Sequence, residues 1–172
     1  MFSRINFIKI IKAHLKTLRS LNQTSNLIYW NDFLLFYLIP IFLSILLIYF
    51  NISIKTQVSN LIAAISILGG FLFNLLAIIY NSMGNLKSDA LKNEIKNKYV
   101  KEIHSNISYN ILVSIFLIIL LIIFNIDIKF NDLSITKGIN ISIEFCTTFL
   151  LSHFFLTLLM VLNRIYILLD KE

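Results

Sequence analysis

The chain has little of what marks a catalytic, metal-binding or disulfide-rich protein. Its 172 residues include one cysteine, one proline and four glycines. The lone cysteine, Cys146, cannot form an internal disulfide, and it lacks neighbouring ligands for a metal ion. There is no glycine-rich phosphate loop and no serine, histidine and aspartate set at one membrane depth. We therefore expect no enzyme activity, no cofactor and no metal site.

Charge is also scarce. Only 14% of the residues are charged, whereas 58% are hydrophobic and the mean hydropathy is +0.82. These values lie outside the usual range of soluble domains. The apolar residues fall in long blocks rather than in amphipathic or alternating patterns. The composition predicts an integral membrane protein whose residues 1–172 form a single membrane domain.

Four segments are long and apolar enough to cross a bilayer, since a helix needs roughly 20 apolar residues to span about 30 Å of hydrocarbon. They cover residues 33–54, 58–80, 107–126 and 145–169. The predicted fold is all-α, a bundle of four transmembrane helices. Pro40 is expected to kink the first of them.

The distribution of lysine and arginine predicts the orientation. Twelve of these residues lie in the segment before the first span, in the 81–106 loop and at the C-terminal end, against three in the other two loops. Positive residues favour the cytoplasmic side, so we expect both termini in the cytoplasm of a bacterial inner membrane. The net charge of +6 then needs no nucleic-acid partner.

Residues 1–30 are predicted to form an amphipathic cytoplasmic helix on the inner leaflet. Isoleucine and leucine recur there at helical spacing, with a parallel basic stripe beside them. The apolar positions are Ile8, Ile11, Leu15 and Leu18, and the basic ones are Lys9, Lys12, Lys16 and Arg19. The stripe predicts contact with membrane lipid, or with a cytoplasmic protein partner.

The two remaining connections also carry patterns. The cytoplasmic loop 81–106 is predicted to be helical and to continue into the third span. In the outer loop 127–144 and its flanks, isoleucines alternate at Ile126, Ile128, Ile139, Ile141 and Ile143. An alternation with period two predicts a short β-hairpin on the outer side.

One face of the second span consists of small or polar residues. In lipid, tight helix association depends on close backbone approach and on hydrogen bonds between helices. This face therefore indicates contact with protein, in the same chain or in a homo-oligomer, or the lining of a pore. Its members are Ser59, Ala63, Ser66, Gly70, Asn74, Ala77 and Asn81.

Polar residues inside the other spans are candidates for a functional site, because such groups are costly in a membrane. Those singled out are His153, Thr157, Asn110 and Ser114. His153 has two interpretations, a functional ionisable group or a neutral imidazole that is hydrogen-bonded between helices. Asp32 and Arg164 are predicted to form an ion pair at the cytoplasmic rim.

Four segments carry a family resemblance: NDFLLFYLIP, GGFLFNLL, NISYNILVS and SHFFLTLLMVLNRIYILL. Their order over residues 31–172 resembles that of small four-span membrane proteins of bacterial anti-phage defence loci, including the membrane subunit of the Kiwa system. The resemblance implies an oligomer of the inner membrane that senses infection, anchors a cytoplasmic effector or itself compromises the membrane.

Three classes of function therefore stay open. The first is an oligomeric membrane subunit of a defence system that works with a cytoplasmic protein. The second is a self-contained pore or membrane-permeabilising effector, formed by several copies of the chain. The third covers structural or assembly proteins and minor transport components.

Overall fold

The chain is described here from a computed structural model, which covers residues 6–18, 34–86, 94–126 and 133–170. A short helix α1 spans Phe7–Thr17. A π-helical turn at Leu34–Leu38 leads into α2 at Ile39–Tyr49. After a 3₁₀ turn at Lys55–Gln57 come α3 at Val58–Leu86, α4 at Glu94–Asn125 and α5 at Leu133–Asp170.

The architecture is all-α and apolar, as the composition predicts. Three segments are long and apolar enough to cross a membrane: Lys55–Asn81, Asn97–Asn125 and Leu133–Leu168. The apolar helix at Leu34–Tyr49 is shorter. At about 1.5 Å per residue its 16 residues extend for about 24 Å, less than the hydrocarbon thickness. The chain is thus a membrane protein, and the fourth crossing stays a prediction.

The predicted outer hairpin is wrong in its second strand. Ile139, Ile141 and Ile143 lie in the first turns of α5, which is helical from Leu133 onward. The alternation is short, and the long apolar segment that follows it continues the helix. The Ser142 hydroxyl donates to the Gly138 carbonyl one turn earlier, a bond that only a helical backbone allows. Ile128 lies outside the described residues.

Helix α4 is the centre of the packing. It contacts α3 on one side and α5 on another, α2 packs on α5, and α1 lies along α4. Its side chains are buried on several faces, with Ile103, Ile107, Leu117 and Leu121 fully enclosed. It also runs unbroken from the predicted cytoplasmic loop into the predicted third span.

Helix α3 presents two different faces. Val58, Ile65, Leu72 and Ile79 recur every seven residues and are buried. All seven members of the small and polar stripe, Ser59 to Asn81, are exposed. The stripe therefore makes no helix packing within the described part of the chain. Its role as an oligomer or pore face stays a prediction.

The two adjacent glycines of α3 have different surroundings. A Cβ atom built on Gly69 would lie 3.5 Å from the Ser114 Oγ of α4, whereas one on Gly70 would have nothing within 4 Å. Gly69 is thus the point of close approach between α3 and α4, and Gly70 is on the outer surface.

This difference predicts the effect of substitution. Gly69→Leu should lower the stability of the folded chain by about 1–3 kcal/mol, because a larger side chain is forced between packed helices. Gly70→Leu is the matched control, with the same gain in helix propensity and no steric conflict. Thermal unfolding in detergent measures both. Equal melting temperatures would contradict the packing of α3 on α4.

Candidate functional site

Helix α1 turns a polar face toward the other helices. His14 and Thr17 are buried together with Leu18, whereas Ile8 is 65% exposed. Of the predicted apolar stripe, Leu18 is buried and Leu15 is half-buried, whereas Ile8 and Ile11 are exposed. The helix begins at Asn6, whose side chain accepts a hydrogen bond from the Lys9 amide at 3.0 Å. Such a cap fixes the start of a short helix.

His14 contacts two residues of α4. Its Nδ1 lies 2.9 Å from the Asn106 Oδ1, and its ring stacks on Tyr109 with 3.8 Å between centroids and 3° between planes. The Thr17 hydroxyl reaches the same Asn106 oxygen at 2.6 Å. Because an amide oxygen only accepts hydrogen bonds, the His14 Nδ1 carries a proton in this contact.

His153 of α5 lies at the hydroxyl end of Tyr109 and also packs edge-on near His14, with 6.3 Å between the two imidazole centroids. The Tyr109 hydroxyl is 2.9 Å from the His153 Nε2, and the His153 Nδ1 is 2.9 Å from the carbonyl oxygen of Phe36. A carbonyl only accepts, so Nδ1 bears the proton and Nε2 accepts from the tyrosine. Both nitrogens are used by a neutral imidazole, and α4, α5 and the π-helical turn that leads into α2 meet at this residue.

The single proline explains why the Phe36 carbonyl is available to accept a hydrogen bond from His153. In a regular helix the amide four residues later would donate to it, but that residue is Pro40, which has no N–H group. The backbone around this point is the π-helical turn Leu34–Leu38. His153 therefore satisfies a carbonyl that Pro40 leaves without its helical partner.

A second polar contact holds the C-terminal end of α1. Arg164 of α5 forms an ion pair with Glu102 of α4 and donates to the Thr17 carbonyl oxygen at 2.6 Å. The last carbonyls of a helix lack partners within it, so a guanidinium is well placed there. Asp32 lies outside the described residues, and its predicted pairing with Arg164 stays a prediction.

The other polar residues singled out in the spans are also buried. Thr157 donates to the His153 carbonyl and Ser114 to the Ile111 carbonyl, both within their own helices. Asn110 is fully buried, and neither of its side-chain polar atoms has a partner among the described residues. Ser114 lies at the contact with Gly69, and Thr157 lies one helical turn after His153 on α5.

We call His14, Thr17, Asn106, Tyr109 and His153 the polar cluster. Sequence patterns identified His153 but missed the other four. His14 and Thr17 lie in the helix whose basic stripe was predicted to contact membrane lipid or a cytoplasmic protein, and Asn106 was assigned to a cytoplasmic loop. The close spacing of Asn106, Tyr109 and Asn110 on α4 is the one sequence feature that indicates it.

The contacts of the polar cluster are hydrogen bonds and ring packing. Within the described ranges no three metal-ligating side chains converge. Burial lowers the pKa of His14 to about 4, despite the hydrogen bond to Asn106. His153 and Arg164 oppose its protonation further. At neutral pH His14 is therefore uncharged, and its contacts with α4 are those of a neutral imidazole.

The link between Pro40 and His153 can be tested by substitution. His153→Leu should lower the stability of the folded chain by about 1–3 kcal/mol, because it leaves the Phe36 carbonyl buried without a partner. Pro40→Ala supplies a backbone N–H for that carbonyl, so the double variant should recover part of the loss. Unfolding in detergent measures the coupling. Strictly additive effects would show that the two residues do not share this carbonyl.

The docking of α1 is expected to depend on pH. A pKa lowered from 6.5 to about 4 means that the docked form favours neutral His14. Docking should be constant above pH 6.5 and weaken by up to about tenfold per unit as pH falls toward 4. Electron paramagnetic resonance can follow the distance between spin labels at Ile8 and Ile119, with Cys146 replaced by serine.

In that experiment His14→Gln is the control, since glutamine can bond to Asn106 but does not titrate in this range. It should remove the pH dependence of the distance. A dependence that persists in His14→Gln would assign the transition to another group.

The fold and the polar cluster can be set beside known proteins. No family model matches the chain, and no curated protein or solved structure matches it.

Proposed function

We propose that the chain is an oligomeric subunit of the bacterial inner membrane that acts in anti-phage defence, with α1 as the element that responds to a cytoplasmic partner. One observation carries this proposal: α1 is held on α4 by the buried His14 and Thr17, while its three lysines stay exposed. The helix is thus attached on one side and accessible on the other.

The attachment is of a kind that can be reversed. The side chains that dock α1 include a neutral histidine and a threonine, both bonded to one oxygen of Asn106. Water or another protein can replace hydrogen bonds of this kind at small net cost. A partner that binds α1 better when it is undocked would shift the equilibrium by its difference in affinity for the two states.

The outward stripe of α3 supports an oligomer. Ser66, Gly70 and Asn74 are exposed within the apolar segment Lys55–Asn81. An amide facing hydrocarbon lacks hydrogen-bond partners, and small residues allow a second helix to approach closely. Contact between copies of the chain along this face would satisfy Asn74. Cyclic homo-oligomers are the common arrangement for such interfaces.

The defence assignment itself comes from the sequence resemblance to four-span proteins of defence loci. It is consistent with a chain that is built largely from apolar helices and that would act through a cytoplasmic protein. A sensor of this type needs one mobile element and one anchored body, and α1 on the α3–α5 helices supplies both.

A phage challenge tests the proposal. The chain is expressed with its neighbouring genes in a bacterial host, and plaque numbers are compared across a panel of phages. Wild type should reduce plating of at least one phage, and Asn106→Leu should lose that protection because α1 is no longer docked. Asn60→Leu, at an exposed position of α3, is the matched control and should retain it. Plating that is unaffected by the wild type would contradict the defence role.

A pore is the second candidate, favoured by the exposed stripe of α3. If several copies enclose this face, Ser66, Gly70 and Asn74 would line a polar path, and exposed Phe71 and Phe73 beside them could gate it by dewetting. Expression of the chain alone distinguishes the two candidates. Depolarisation of the host membrane without any neighbouring gene supports the pore, whereas an unchanged potential supports the partner-dependent subunit.

A further inference from the structure

The lysines of α1 form an open groove on the side opposite to the polar cluster. Lys9, Lys12 and Lys16 are exposed and line a groove of about 410 Å³ together with Asn6, Ile8 and Ala13. None of these residues is acidic. No residue that lines the groove therefore offsets the positive charge of the three lysines.

The orientation of this groove is fixed. Positions in a helix are separated by about 100°, which places the three lysines roughly 140–160° from His14. Because His14 is fully buried against Asn106 and Tyr109, α1 cannot rotate its lysines toward α4 without breaking those contacts. The basic face is directed away from the other helices.

The groove also lies beside a membrane-crossing segment. Thr17 contacts Asn106, and the Phe7 ring packs edge-on against Phe116 at 5.9 Å between centroids. Both partners belong to the apolar segment Asn97–Asn125. The lysines therefore run alongside that segment, where a cation requires an anionic partner or a path to water.

Next to the lysines lies an exposed apolar strip. Phe7, Ile8 and Ile11 are 44%, 65% and 39% exposed. A free phosphate ion would leave this strip uncovered, and the strip lies beside the apolar segment Asn97–Asn125, where lipid acyl chains are the neighbouring apolar groups. A lipid with a phosphate headgroup and acyl chains matches both features, the phosphate on the lysines and the chains against the isoleucines.

We propose that this groove binds the headgroup of an anionic phospholipid, with Lys9, Lys12 and Lys16 around the phosphate and the acyl chains along Phe7, Ile8 and Ile11. The bound lipid would neutralise the basic face of docked α1 and stabilise the docked state. This inference is independent of the proposed function, because it requires no partner protein and no phage.

Native mass spectrometry of the purified full chain tests it. The chain in detergent is mixed with phosphatidylglycerol or with phosphatidylcholine and is then released from the detergent in the mass spectrometer. The number of lipid molecules that stay bound to each chain is counted. Wild type should retain phosphatidylglycerol in preference. Each lysine near an anionic headgroup contributes about fivefold to binding, so the triple variant Lys9→Gln, Lys12→Gln, Lys16→Gln should bind on the order of a hundredfold less.

The matched control removes the same number of charges elsewhere, as Lys98→Gln, Lys101→Gln and Lys137→Gln. It should bind phosphatidylglycerol like the wild type. An equal loss in both triple variants would overturn the proposal, since binding would then follow net charge alone. Displacement of the lipid by inorganic phosphate would overturn it as well, because the acyl chains would contribute nothing. If the α1 triple variant does not fold, the three single variants should each lose about fivefold.

Discussion

A buried polar atom in an apolar bundle must find a partner, and this constraint organises the described part of the chain. Pro40 leaves the Phe36 carbonyl without its helical donor, and His153 takes its place. Tyr109 donates to the other side of His153 and stacks on His14. These contacts connect the missing N–H group of Pro40 in α2 to the position of α1.

The position of α1 in turn sets the properties of the surface. Its buried face is polar, its lysines face outward and its isoleucines lie beside them, so the helix has three faces rather than the two of a simple amphipathic anchor. The same division appears on α3, where a buried apolar face lies opposite the exposed small-residue stripe. Both outward faces carry polar or charged groups that are costly to expose to the hydrocarbon of the bilayer without hydrogen-bonding or charged partners. They favour an assembly in which lipid headgroups or further copies of the chain cover them.

Much of the fold follows from the sequence, because long apolar blocks admit only helices in a membrane. The hairpin prediction failed because alternation over a few isoleucines carries less weight than the continuous helix that follows them. His153, Thr157, Asn110 and Ser114 were recognisable as polar positions in apolar spans. The partners His14 and Asn106 were not, since each lies in a segment assigned to the cytoplasm, and only their tertiary contact shows that both are buried.

The account depends most on α1 lying along α4, and cysteine cross-linking in native membranes measures this directly. With Cys146 replaced by serine, the pair Phe7→Cys and Phe116→Cys should be joined by a short bifunctional thiol reagent that bridges the space of the two rings, which are packed with 5.9 Å between centroids. Ile8→Cys paired with Phe116→Cys should not, since Ile8 points away from α4. No cross-link at either pair, or equal yields at both, would contradict the docked position of α1.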